Sequence, residues 1–129
     1  MSKPPWKEIR TDKAPAPVGP YSQAIEAGGF VFCSGQIALD PASGSLVGDT
    51  PAAQADKLMD NVRAVLEAAG LGMNSIVKTT IFLLDMKAFA EVNAAYERKL
   101  GGHKPARSTV AVSALPKGAL VEIEVLAVR

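Results

Sequence analysis

The sequence has one cysteine and one histidine, and each scarcity removes a class of function. With Cys33 alone there is neither an intramolecular disulfide nor a multi-cysteine metal site. With His103 alone, in the loop Gly101-Gly102-His103-Lys104, histidine metal clusters and two-histidine acid–base catalysis drop out, and that ring reads as a solvated loop residue. Aromatics are 5% and charged residues 21% of the chain. Net charge is +1, from 14 basic and 13 acidic residues interleaved along the chain, so no basic stripe exists to track a phosphate backbone. No apolar run approaches the roughly 20 residues of a bilayer span. Met1 to Asp12 is polar and proline-bearing, unlike a signal peptide. A reducing cytoplasm is the expected home. Phosphate-loop and dinucleotide fingerprints are also missing.

What is present fits one domain over residues 1–129, with 48% hydrophobic residues to form its core. Trp6 to Arg10 reads as a short edge strand. Ala14 to Tyr21 holds Pro15, Pro17, Gly19 and Pro20 and is expected as an ordered loop. Gln23–Ala27 and Phe30–Ile37 flank Gly28-Gly29, a two-residue hairpin signal, and Asp40 to Gly44 is a second turn. Thr50-Pro51 is an N-cap followed by a first helical position. Leu58, Val62, Val65, Leu66 and Ala69 then form one apolar stripe that Gly70 ends. Ile76–Leu84 reads as a buried strand. Phe89, Val92, Tyr96 and Leu100 mark a second helix, and Ser108–Val112 and Leu120–Val128 the last two strands. The order β-β-β-α-β-α-β-β makes an α+β domain with a mixed six-stranded sheet and both helices on one face. Strands 30–37, 76–84 and 120–128 are apolar at both parities, so a second copy of the chain is expected to cover the other face.

Candidate chemistry sits in four places. Tyr21 and Ser22 close the proline-rich loop, which is stiff enough to hold a side chain in place; Tyr21 as mere packing for that loop is the competing reading. Cys33-Ser34-Gly35-Gln36 lies where strand gives way to turn, and Gly35 permits close approach to the backbone. Cys33 itself reads as buried and inert. Pro105-Ala106-Arg107-Ser108-Thr109 starts a strand with an arginine whose planar fork suits a small carboxylate, although a surface arginine in an ion pair is the more ordinary reading of such a residue. Glu122 and Glu124 share one face of a strongly apolar strand. They read either as an ordinary polar face or as groups of a site or interface, where burial would raise a carboxyl pKa.

Taken together, these segments resemble the RidA/YjgF family of reactive-intermediate deaminases. The matching stretches are Gly19-Pro20-Tyr21-Ser22-Gln23-Ala24, Ser34-Gly35-Gln36-Ile37, Ala68-Ala69-Gly70, Val77-Lys78-Thr79-Thr80, Val92-Asn93 with Tyr96-Glu97, Pro105-Ala106-Arg107-Ser108, and Leu115-Pro116-Lys117 followed by Glu122-Ile123-Glu124. They fall in the family's order and cover nearly the whole chain. The resemblance implies a chorismate-mutase-like fold, a homotrimer with clefts between subunits, and hydrolysis of 2-imino acids such as 2-iminopropanoate and 2-iminobutanoate, with neither metal nor cofactor. By position it assigns the substrate carboxylate to Arg107, the attacking water to Glu122, and the cleft lining to Tyr21 and Ser34. It also brings the backbones of Gly35 and Thr109 close to substrate. The Leu100-Gly101-Gly102-His103-Lys104 loop departs from the family pattern, with two glycines where bulkier residues are usual, which leaves substrate size open. Ribonuclease activity, described for some family members, lacks the acid–base groups and basic groove it needs. A non-enzymatic carboxylate-binding or chaperone-like trimer is the remaining alternative.

Overall fold

The computed structural model describes residues 3–129, so the first two residues of the polar N-terminal stretch lie outside the described residues. The strands are β1 (Trp6–Ile9), β2 (Ala24–Ala27), β3 (Phe30–Cys33), β4 (Ile76–Leu83), β5 (Ala106–Ala111) and β6 (Val121–Val128), and the helices are α1 (Pro51–Ala68) and α2 (Phe89–Leu100). The order of elements along the chain is the one its periodicity predicts.

Local signals set the helix ends. The Thr50 hydroxyl accepts the Ala53 N–H at 3.1 Å, Pro51 takes the first helical position, and Leu58, Val62, Val65 and Leu66 are fully buried along one stripe. Each such side chain withdrawn from water stabilises the fold by about 1.5–3 kcal/mol. At the far end Gly70 turns left-handed (φ 76°), its N–H bonds the Glu67 carbonyl, and the Leu71 N–H bonds the Leu66 carbonyl. That pair of bonds is the closing motif glycine permits. Gly28 and Gly29, both at positive φ, make the tight β2–β3 turn in the same way.

The sheet runs β1-β2-β3-β6-β4-β5, antiparallel except for the parallel β4–β5 pair that α2 connects. Two strand ends differ from expectation by more than one residue. β3 stops at Cys33, after which the chain turns away and Gln36 returns to a lone bridge with Ile123. β5 starts at Ala106, two residues early, because parallel pairing with β4 begins there, opposite Lys78. Between Ile76 and Lys78 a bulge shifts the register, so Ile76 and Thr79 are both buried despite their opposite parity.

Both helices lie on one face of the sheet. Beneath them Val31, Ile81, Leu83, Val121, Ile123 and Ala127 are nearly inaccessible. The other face carries Phe82, Leu126 and Val128, with Phe30 and Phe32 exposed at 40% and 51%. This is the apolar face that the pattern at both parities implies.

The proline-rich segment is an ordered loop, held from inside by one side chain. Gln23, 2% exposed, accepts the Thr11 N–H through Oε1 at 2.8 Å, while its Nε2 donates to the carbonyls of Thr11, Ala14 and Pro15. Replacing Gln23 with Leu keeps the volume but leaves those backbone groups without a partner. The expected result is a stability loss of about 1–3 kcal/mol and faster amide hydrogen exchange across residues 11–21. An unchanged exchange pattern there would show that the prolines hold the loop unaided.

Candidate active site

The ordered loop, the turn after β3 and β6 converge on a cavity of about 520 Å³, lined by Tyr21, Ser34, Gly35, Gln36, Lys117 and Glu122 among others. Tyr21 does not pack into the core. Its hydroxyl accepts the Val18 N–H at 3.3 Å, and its ring stands half exposed at the cavity. Ser34 is oriented by its own hydrogen bond, Oγ donating to the Ser22 carbonyl at 2.6 Å. Gly35 fits for a steric reason, since a Cβ there would overlap the Glu122 carboxylate. Glu122 is half-buried, and burial, reinforced by the negative charge of Glu124, raises its carboxyl above the usual range. Glu124 is exposed on the same face. Cys33 is inert as expected, its thiol pushed up to about 12 by burial.

Arg107 and Thr109 are not in this cavity. Register pairs Arg107 with Thr79 and Thr109 with Ile81, both buried under the helices, whereas Glu122 pairs with Phe82 on the open face. Within one chain, Arg107 and Glu122 therefore lie on opposite sides of the sheet. Arg107 lines a second cavity of about 400 Å³ with Asn93, Tyr96, Glu97 and His103. Its guanidinium carbon sits 5.5 Å from the Phe89 ring centre and 5.4 Å from that of Tyr96, and Nη1 donates to Asn93 Oδ1. Cation–ring contacts at exposed sites contribute about 0.5–1 kcal/mol each. No carboxylate pairs with Arg107 among the described residues. Thr109 Oγ1 is buried beside it with no hydrogen-bond partner among the described residues.

Three features escape the sequence reading. Phe89, which the spacing reads only as one of the apolar positions marking α2, is 39% exposed and faces Arg107, and Asn93, outside that apolar stripe, joins it and Tyr96 around the guanidinium. Lys117 adopts a left-handed conformation (φ 56°) at the first cavity, a conformation that composition does not reveal. His103 is not a free loop residue. Its Nε2 lies 2.6 Å from the Ile76 carbonyl, to which it donates, and this tether opposes the mobility expected of Gly101 and Gly102.

The profile of the family described as Endoribonuclease L-PSP matches residues 11–129. The chain is 48% identical over 126 residues to the 2-iminobutanoate/2-iminopropanoate deaminase of Escherichia coli, covering 95% of this chain and 98% of that one. The chain belongs to the RidA/YjgF family. The Rid-family protein YyfA of Yersinia pestis superposes with a TM-score of 0.93 at 47% identity, covering 96% of this chain and 99% of that one. E. coli TdcF, solved with bound serine, does so at 0.90 and 41%, covering 95% and 98%. The fold is thus the mixed-sheet domain of Rid proteins.

The raised Glu122 carboxyl has a consequence for stability. A group whose pKa is higher folded than unfolded favours the folded state most when protonated, and that contribution is lost as pH rises through the folded value. Glu122→Gln should therefore melt at or above the temperature of the parent protein at pH 7.5, the gap closing as pH falls through the raised folded value and gone below the ordinary carboxyl value of about 4. A variant that melts lower than the parent at pH 7.5 but matches it in acid would reverse the sign and show a carboxylate stabilised by its surroundings.

Proposed function

We propose that this Rid-family protein is a hydrolytic deaminase of reactive 2-imino acids and their enamine tautomers, releasing 2-oxo acids and ammonia. The observation that carries the reading is the half-buried Glu122, its carboxyl raised toward neutrality, at the wall of a cavity shared with Tyr21, Ser34 and Gly35. The name of the E. coli relative supports it, and so does the serine found in TdcF, a small amino acid with the carboxylate this chemistry needs.

Glu122 and Arg107 face opposite ways in one chain, so the reading includes a homotrimer in which one subunit's Arg107 meets its neighbour's Glu122. The open face with Phe30, Phe32 and Phe82 supports such packing, since a patch of that kind is rarely left in water. Arg107, caged by Phe89, Asn93 and Tyr96 with no carboxylate partner among the described residues, has N–H donors for a substrate carboxylate. Water adds to the imine carbon, its proton passing to Glu122. Glu122 returns that proton to the nitrogen, giving the carbinolamine, and then carries the carbinolamine hydroxyl proton to the same nitrogen, so that the 2-oxo acid forms as ammonia leaves. Imines hydrolyse in water unaided, so positioning and proton transfer suffice for a useful acceleration. Tyr21 and Ser34 line the cleft, Gly35 leaves room for the carboxylate, and the Thr109 backbone stands near the carboxylate end of the substrate. No helix among the described residues is long and apolar enough to cross a membrane, and the reading places the protein in the cytoplasm, where such imines arise.

The two glutamates give a direct test. With 2-iminobutanoate generated in situ, Glu122→Gln should lose about 10²–10⁴-fold in turnover with assembly intact. Glu124→Gln should turn over near the parent rate per assembled protein. Collapse in Glu124→Gln alone, or parent rates in both, sinks the assignment.

The shared cleft has its own test. Arg107→Lys keeps the charge but loses the fork and should cost about 10- to 150-fold in kcat/KM. Unfolding and refolding a mixture of Arg107→Lys and Glu122→Gln chains should then recover part of the parent activity, because some clefts regain both native residues. No recovery, from a mixture that sediments as a trimer, would mean that each site belongs to a single chain.

A further inference from the structure

One buried polar contact supports the Arg107 cage and is used by nothing described above. Thr79, fully buried on β4, and Tyr96, 5% exposed on α2, bring their hydroxyls to 2.7 Å. Thr79 is also the residue that β4–β5 pairing sets directly beside Arg107. The pair thus links the strand neighbour of Arg107 to a ring on which its guanidinium rests.

Packing alone would not require either hydroxyl. Phe at 96 and Val at 79 would fill nearly the same space without burying polar atoms, which cost free energy unless hydrogen-bonded. What the hydrogen bond adds is direction. An apolar contact leaves a ring free to tilt, while a bond at the para position fixes it from the far end. The tilt matters because a cation is attracted to the face of a ring and not to its edge. Burial also pushes the Tyr96 phenol above its ordinary value, which keeps it neutral beside Arg107. A phenolate there would compete with substrate for the guanidinium.

We infer that Thr79 and Tyr96 are positioning residues for Arg107, their hydroxyl–hydroxyl bond setting the ring on which the guanidinium lies and so the direction of its free N–H donors. Asn93 and Phe89 complete the cage through their own contacts to Arg107. The inference rests on the reading of Arg107 as the carboxylate-holding group. It predicts effects on carboxylate binding that exceed any effect on the chemical step.

The test uses the full chain, with KM for 2-iminobutanoate and the inhibition constant of 2-oxobutanoate as readouts. Tyr96→Phe and Thr79→Val should each raise both constants about 3- to 10-fold, the worth of one hydrogen bond, with kcat held within about twofold. The double variant should be no worse than either single one, because both remove the same bond. Thr79→Ser, which keeps the hydroxyl, should restore parent values. If Thr79→Val does not fold, Tyr96→Phe, which preserves the ring, decides alone. Parent-like constants in Tyr96→Phe, with only the melting temperature lowered, would overturn the positioning role while Arg107→Lys still weakens binding. Parent-like constants in Arg107→Lys itself would overturn the carboxylate clamp, and this inference with it.

Discussion

Alternation along β6 separates the two kinds of work this chain does. Val121, Ile123, Val125 and Ala127 point under the helices, and Glu122, Glu124, Leu126 and Val128 point away. The first set holds the fold together, and the second faces the cavity and the open surface. Because β6 is central, bonded to β3 on one side and β4 on the other, neither set can shift without breaking two ladders. A one-residue slip would send the glutamates into the core and the valines into water. The carboxylate of Glu122 is therefore placed by the most constrained strand of the sheet, a suitable base for a group that must stay within hydrogen-bonding reach of a reacting atom.

The Arg107 side follows a different design. β5 is an edge strand with exposed residues at most positions, and its parallel pairing leaves the arginine less confined than a central residue would be. Side chains from elsewhere make up the difference: the 89–93–96 stripe of α2 grips the guanidinium. One group is fixed by backbone pairing and the other by a side-chain cage.

Much of this was legible in the sequence, for reasons that also mark where it stopped. The α1 stripe, the Thr50 cap and the Gly70 stop are local signals, and the structure realises each of them. The ends of β3 and β5 were misplaced because pairing partners decide where strands stop, and partners distant in sequence leave no local mark. The bulge at Val77 was invisible for the same reason. Glu122, Tyr21, Ser34 and Gly35 were named one at a time and meet in one cavity, since each sits at a strand or loop position that a short pattern identifies. The cage around Arg107 was missed because Phe89 and Tyr96 carry the same helical period whether they face a core or a cation. Periodicity reports a face, and only three-dimensional contact reports what lies against it.

The contact between Gly35 and Glu122 ties two positions that are 87 residues apart in sequence. Any side chain at 35 would push the carboxylate out of its place, so glycine there is needed for as long as the Glu122 carboxylate keeps this position. Shortening the acid would loosen the lock: Glu122→Asp withdraws the carboxylate by about one methylene and opens space for a small residue at 35. Across divergent descendants of this chain the two sites should change together or not at all. The turn after β3 thus carries a steric memory of the acid it faces.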